Sequence, residues 1–299
     1  MPALLDLAVL APDHMLRAFA PVDEGNGRDF VADVLLAPLA AALPGYAVRP
    51  QLSLSGAFAD AHWRVASGHL LGRFVAPLFG ILPTGRLAWL RFGRFERLIG
   101  GQVAETLLLL DLPSLMLQAG VWPLSRPLGP DLMAPPPRAT DGNSAASLAL
   151  VEAMIAGLMR YDGRNLRSMN MRDFWHEDFC WYGPAPIGSF CGHHDYERGH
   201  QGPFLAAFPD RRGGNHRARI AERNLVASTG WPSITATHTG GDWLGLPATG
   251  KRVTMRVMDF WAAQGGRLSE NWVMIDLVDL LRQLDVDVFA RMRSLTDRS

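Results

Sequence analysis

Asp259 is the residue of this chain best placed for acid/base chemistry. In the run Arg252-Val-Thr-Met-Arg-Val-Met-Asp-Phe-Trp261, strand alternation sets Val253, Met255, Val257, Asp259 and Trp261 on one face. If that face lines a cavity, the carboxyl loses solvent, its pKa rises, and it becomes a base of use near neutral pH. A salt bridge to Arg256 or Arg252 would instead leave it a structural anion. His238, in Ala236-Thr-His-Thr-Gly240, is the second candidate for proton transfer, against a hydrogen-bonded structural histidine. Asn271 shares a strand face with Val273 and Ile275, and its amide could donate to an enolate oxygen or be satisfied by backbone groups. The aromatic run Phe174-Trp-His-Glu-Asp-Phe-Cys-Trp-Tyr182 brings His176 and the Tyr182 phenol as polar groups able to point inward, and Trp181 or Tyr182 could line the mouth of a pocket for a flat ligand. Plain core packing is the alternative for that run.

Other residue types exclude more than they suggest. His193-His194 invite a metal reading, but no third ligand stands at a sensible spacing, so no metal is expected and solvent-facing loop residues are the simpler account. Cys180 and Cys191, the only 2 cysteines, give no disulfide framework, no CxxC and no neighbour that would make a thiolate. The 29 basic residues are matched by 29 acidic ones, so no positive field is left over to hold a phosphate backbone, and nucleic acid is not an expected partner. No uninterrupted apolar run reaches the roughly 18–20 residues of a membrane span. A cytoplasmic protein with no membrane partner is the expectation.

Positioning these residues requires elements, and the chain of 299 residues, 48% of them hydrophobic, is long enough for about two domains. An internal repeat divides it. Pro38-Leu-Ala-Ala-Ala-Leu-Pro44 returns as Pro203-Phe-Leu-Ala-Ala-Phe-Pro209, Leu82-Pro-Thr-Gly85 as Pro247-Ala-Thr-Gly250, and Gly100-Gly-Gln-Val-Ala-Glu105 as Gly265-Gly-Arg-Leu-Ser-Glu270, all at the offset from Pro38 to Pro203. Between the copies, Pro135-Pro-Pro137 and Asp141-Gly-Asn-Ser144 cannot sustain a helix or central strand and read as a linker over residues 128–144. The resulting domains are 1–127 and 145–299. Each copy predicts an early helix (Asp29–Ala42; Ala146–Met159), alternating strands, a hairpin and a short closing helix, hence α+β. Gly265-Gly266 turns the last hairpin. Asp276 precedes the stripe Leu277, Leu280, Leu281, Leu284, and Asp111 precedes Pro113, so both repeated aspartates are expected as helix N-caps rather than as catalysts.

Trp181-Tyr-Gly-Pro184, Ile187-Gly188, Pro203-Phe204, Phe208-Pro-Asp210, His238-Thr-Gly240, Gly245-Leu-Pro-Ala-Thr-Gly-Lys251 and Glu270-Asn-Trp272, in this order and at these spacings, resemble the SnoaL-like polyketide cyclases of the nuclear-transport-factor-2-like superfamily. The likeness covers roughly residues 146–295, and residues 20–125 weakly. It implies two tandem cone-shaped domains, each a curved antiparallel sheet wrapped by helices, paired sheet to sheet within the chain, with a further homodimer left open. It also implies an intramolecular aldol cyclisation, or an isomerase or lyase reaction, on a small hydrophobic carbonyl compound, with no metal or organic cofactor. The family's pocket histidine falls at Asp259 and its catalytic aspartate at Val273. Asp259 then becomes a relocated base, assisted by His238, with Asn271, Tyr182, Trp181, His176, Val257, Trp261 and Val273 about the substrate. The alternative is a binder that kept the pocket and lost the base. In the first copy the matching positions are Arg94 and Leu108, Glu96 is expected to pair with Arg94, and Phe74, Val75, Leu78 and Phe79 are expected to plug the hollow, giving a degenerate docking domain.

Overall fold

The computed structural model describes residues 3–132 and 142–296, and the chain divides into two compact units, one of Met1–Pro123 with Asp276–Ser299, the other of Leu124–Ile275. This division differs from the sequence boundaries at the end of the chain. The last helices, Leu277–Gln283 and Val288–Thr296, count with the first unit. Asp276 explains part of that placement, since its Oδ2 accepts the Ala20 N–H at 3.0 Å, and the Arg282 fork grips Asp23 at 2.9 and 3.0 Å.

The first unit is a six-stranded sheet of order β2-β1-β6-β5-β4-β3, with β1 Leu10–Ala18, β2 Glu24–Asn26, β3 Ala47–Phe58, β4 Ala61–Arg73, β5 Leu87–Ile99 and β6 Gln102–Leu110. The second repeats that order as β8-β7-β12-β11-β10-β9, with β7 Trp175–Tyr182, β8 Ser189–Cys191, β9 Ala218–Glu222, β10 Leu225–Thr237, β11 Arg252–Gln264 and β12 Arg267–Ile275. Register follows the repeat. Arg94 faces Leu108 across β5–β6, and Asp259 faces Val273 across β11–β12. The sheets are mixed rather than wholly antiparallel, because β1 runs parallel to β6 and β7 parallel to β12. Each central hairpin turns on two glycines with positive φ, Gly100-Gly101 (58° and 81°) and Gly265-Gly266 (55° and 80°), a backbone that suits a tight two-residue turn and that side chains resist.

Helices cover the sheets where the sequence places them. Residues 28–42 are helical throughout, and Ser144–Leu158 starts behind Asn143, whose Oδ1 accepts the Ala146 N–H. Asp111 and Asp276 are N-caps in their own copies, accepting from the Ser114 and Asp279 N–H groups at 3.2 and 3.1 Å. The stripe Leu277, Leu280, Leu281 and Leu284 is buried. Of the linker, residues 133–141, with the triple proline, lie outside the described residues; at its near end the Gly129 N–H donates to the Ile187 carbonyl.

The two cysteines require a correction. Too few for a framework, they nevertheless bond to each other, because β8 returns on β7 with Cys180 directly opposite Cys191. In the first unit, Glu96 is buried and holds Arg64 at 3.0 Å and the expected partner Arg94 at 3.5 Å. Phe74 and Leu78 are fully buried there and Phe79 meets Phe19 edge-on, while Val75 is exposed. Among the described residues no helix is long and apolar enough to cross a membrane.

Candidate active site

Asp259 lies at the centre of one cross-strand row. Arg219 on β9 pairs with Ser228 on β10, Ser228 with Asp259 on β11, and Asp259 with Val273 on β12. Residues directly opposite on neighbouring strands share a face, so all four point to the same side of the sheet. Two positions along, Trp261, Asn271 and Trp181 form the next row across β11, β12 and β7. Together these rows floor a cavity of about 180 Å³ lying wholly within the second unit. Val257, Asp259, Trp261, Asn271, Val273 and Trp181, all anticipated from the sequence, line it.

The walls mix aliphatic and aromatic side chains with polar ones, Gln201, Arg211, His216 and Arg219 among them, and Asp259 is their one carboxyl. Burial is the main influence on the Asp259 carboxyl; the Asn271 amide and the Arg219 charge oppose it, and the carboxyl ends pushed up to about 7. The Asn271 Nδ2 donates to the Phe260 carbonyl at 3.0 Å and reaches Asp259 Oδ1 at 3.5 Å. Arg219 is only 9% exposed; its Nη1 lies 3.6 Å from Glu152 Oε1, its Nε donates to Ser228 Oγ and its Nη2 to His216 Nδ1. The one arginine whose charge acts on Asp259 among the described residues is Arg219, whereas Arg256 stacks on Trp231 with its guanidinium carbon 4.8 Å from the ring centre. A carboxyl held near neutrality, facing an apolar hollow with donors beside it, can accept a proton from carbon and return it to oxygen.

Three anticipated residues stand elsewhere. His238 lies just past the end of β10, 0% exposed, hydrogen-bonded through Nδ1 to Thr249 Oγ1 at 3.1 Å and packed on Phe208, outside the cavity lining. Tyr182 follows Trp181 on its strand and therefore points to the opposite face. There its hydroxyl donates to Glu270 Oε1 at 3.2 Å and its ring stacks on Trp272; burial, then Glu270, pushes the phenol up to about 12. The His176 Nε2–H donates to the Gln264 carbonyl at 2.7 Å, and the ring does not reach the hollow. The paired histidines also separate: His193 is buried edge-on to Phe179, whereas His194 is exposed beside Asp195. Among the described residues no three His, Cys, Asp or Glu side chains gather as metal ligands.

Other lining residues come from segments the sequence reading passed over. The helical run 192–207 contributes Tyr196, His200, Gln201 and Phe204. His200 stacks on Trp181 with centroids 3.9 Å apart; burial, with Arg211 adding to it, lowers its pKa to about 3, so the ring is neutral. Burial raises the Tyr196 phenol, keeping it a neutral donor. A signal for this face was present, because Tyr196, His200 and Phe204 stand at i, i+4 and i+8.

Hollows with an acidic group among aromatic and aliphatic walls are where small molecules commonly bind in proteins. Residues 159–284 match the family model described as SnoaL-like polyketide cyclase, so this stretch of the C-terminal half is similar to that family. Among solved structures, AclR from Streptomyces galilaeus, a proposed hydroxylase, is similar at 28% identity over 48% of this chain and 98% of its own, with a TM-score of 0.39. A protein from Jannaschia sp. CCS1, proposed as a SnoaL-like polyketide cyclase, shares 16% identity over 50% of this chain and 97% of its own, with a TM-score of 0.42. IdmH from Streptomyces antibioticus, a proposed polyketide cyclase, shares 23% over 45% and 98%, with a TM-score of 0.35. No curated protein matches the sequence.

Proposed function

We propose that the second unit is a cyclase-type acid/base catalyst acting on a hydrophobic carbonyl compound, with Asp259 as the proton-transfer group. One observation carries the reading: the only carboxyl among the residues lining the cavity is the one burial holds near pH 7. In the reaction, carboxylate Asp259 takes a proton from a carbon next to a carbonyl. The resulting enolate oxygen is stabilised by donors of the wall, for which the Trp261 indole N–H and the Gln201 amide are both buried and unpaired. The enolate carbon then attacks a second carbonyl of the same molecule, closing a carbon–carbon bond. The new alkoxide takes back the proton from neutral Asp259, leaving the carboxylate ready for another turnover. Trp181 and Trp261 hold the two reacting ends together.

The proton-abstraction step can be tested without knowing the natural substrate. Exchange of the α-protons of 2-tetralone in heavy water, followed by proton NMR, is expected to be accelerated saturably. Its rate should rise with pH through about 7, because the charged carboxylate is the working form. Asp259→Asn is expected to slow exchange about 100-fold or more. Exchange that survives this substitution intact would remove Asp259 from the chemistry. Saturable binding of 2-tetralone with no exchange in the native protein would favour a binder instead, a reading supported by Val273 at the family's aspartate position.

A further inference from the structure

Among the described residues, Arg211 is a cation in the cavity wall with no anion to hold it. It lines the hollow just after the Phe208-Pro-Asp210 turn. Among the described residues its guanidinium makes three polar contacts: Nη1 and Nη2 reach the Leu158 carbonyl at 3.4 and 3.3 Å, and Nη2 lies 3.7 Å from Met169 Sδ. These are long contacts to neutral acceptors, and a guanidinium has five N–H donors. The acid next to it, Asp210, is turned away and engaged, accepting both the N–H and the hydroxyl of Thr237 at 2.7 Å. Burial lowers the Arg211 pKa, as expected of a charge that gives up solvent without a counter-ion. The other lining arginine, Arg219, differs in having Glu152 beside it and Asp259 near.

The surrounding wall has the same bias toward donors. The Gln201 Nε2, 4% exposed as a residue, and the Trp261 Nε1, 3% exposed, have no hydrogen-bond partner among the described residues. Buried donors left unpaired are costly, and a bound ligand is the usual partner for those that line a cavity. Trp181, Tyr196 and Trp261 supply flat apolar surface alongside.

Taking the cavity as the functional site, we propose that its ligand is a flat carboxylic acid, bound as the carboxylate by the Arg211 guanidinium with its ring system among the aromatic walls. A planar guanidinium receives a carboxylate through two parallel N–H···O bonds, a match that a neutral ester or amide cannot reproduce. Arg211 thus fixes which end of the ligand enters first, and Asp259 acts on a carbon remote from that anchor.

Calorimetric titration of the full chain with 2-naphthoate and with its neutral isostere 2-naphthamide tests this. The acid is expected to bind at least about tenfold more tightly than the amide. Arg211→Gln should abolish that preference by weakening the acid alone, while Arg211→Lys, which keeps the charge without the fork, should retain part of it. Unchanged naphthamide affinity in Arg211→Gln serves as the check that the cavity is still folded. Equal affinity of native protein for the two probes would overturn the carboxylate proposal and leave the cavity reading standing. Failure of both probes to bind would overturn the two together.

Discussion

The same strand order and the same register produce two different interiors in this chain. At the middle of the first sheet the cross-strand row reads Ser53, Ala66, Arg94, Leu108; at the middle of the second it reads Arg219, Ser228, Asp259, Val273. In the first unit the central cation is consumed by structure. Arg94 pairs with buried Glu96, which also holds Arg64, and Arg94 donates in addition to the Leu4 carbonyl. In the second unit the central anion stays without a tight ion pair and looks into a hollow. Backbone architecture therefore does not make the site. What differs is the neighbouring row, which supplies the buried anion Glu96 to the central charge of the first unit and the neutral Trp261 to that of the second, leaving there a titratable group poised near neutrality at a cost in stability.

The contrast can be broken most forcibly from the first unit. Glu96→Gln removes the anion that compensates two buried or half-buried guanidinium groups, and should destabilise the first unit by about 3 kcal/mol, read as a drop in its denaturation midpoint. A loss well under about 1 kcal/mol would mean that Glu96 is not the structural anion that separates the two interiors.

The corresponding change in the second unit should have the opposite sign. Asp259 has a folded pKa of about 7, above its unfolded value, so folding takes up a proton between the two. Stability from this residue is greatest below the unfolded pKa of about 4 and falls as pH climbs through 7. Asp259→Asn has no such penalty. It should stabilise the protein by roughly 2 kcal/mol at pH 8, about half of what the full displacement would give because the hollow is open to water, and by nothing at pH 4. Thermal unfolding of the two proteins at both values checks the sign. A stabilisation that does not depend on pH would disconnect it from the carboxyl.

The smallest effect should be common to both units. Asp111→Ala and Asp276→Ala each remove an N-cap of the same geometry, and each should cost about 1 kcal/mol in denaturant unfolding. A pronounced effect on ligand binding from either would restore a direct role in the site to the repeated aspartate.

Much of this comparison is readable in the sequence, and the parts that are not share a cause. The Gly-Gly hairpins, the capping aspartates and the pairing of Asp259 with Val273 are local, fixed by turn chemistry and by alternation along two adjacent strands. Trp181 follows from the same alternation, which equally puts Tyr182 on the other face; taking both for the pocket disregarded that parity. His238 lies off the cavity for another reason, since it sits beyond the strand and its partner Thr249 belongs to the loop that returns to β11. Arg219 reaches the row through β9 and β10, and the register of β10 on β11 shifts between Gly230 and Ile234, so counting residues along the chain could not align it with Asp259. The Cys180–Cys191 bond likewise depends on an edge strand of three residues, too short to announce itself.

The central claim is that Asp259 is a carboxyl held near neutrality by an apolar hollow, and carbon-13 NMR measures it directly. Titrating the side-chain carboxyl resonance of Asp259, assigned by its disappearance in Asp259→Asn, should give a midpoint close to pH 7. A midpoint near 4, the value of an ordinary solvated aspartate, would contradict the account.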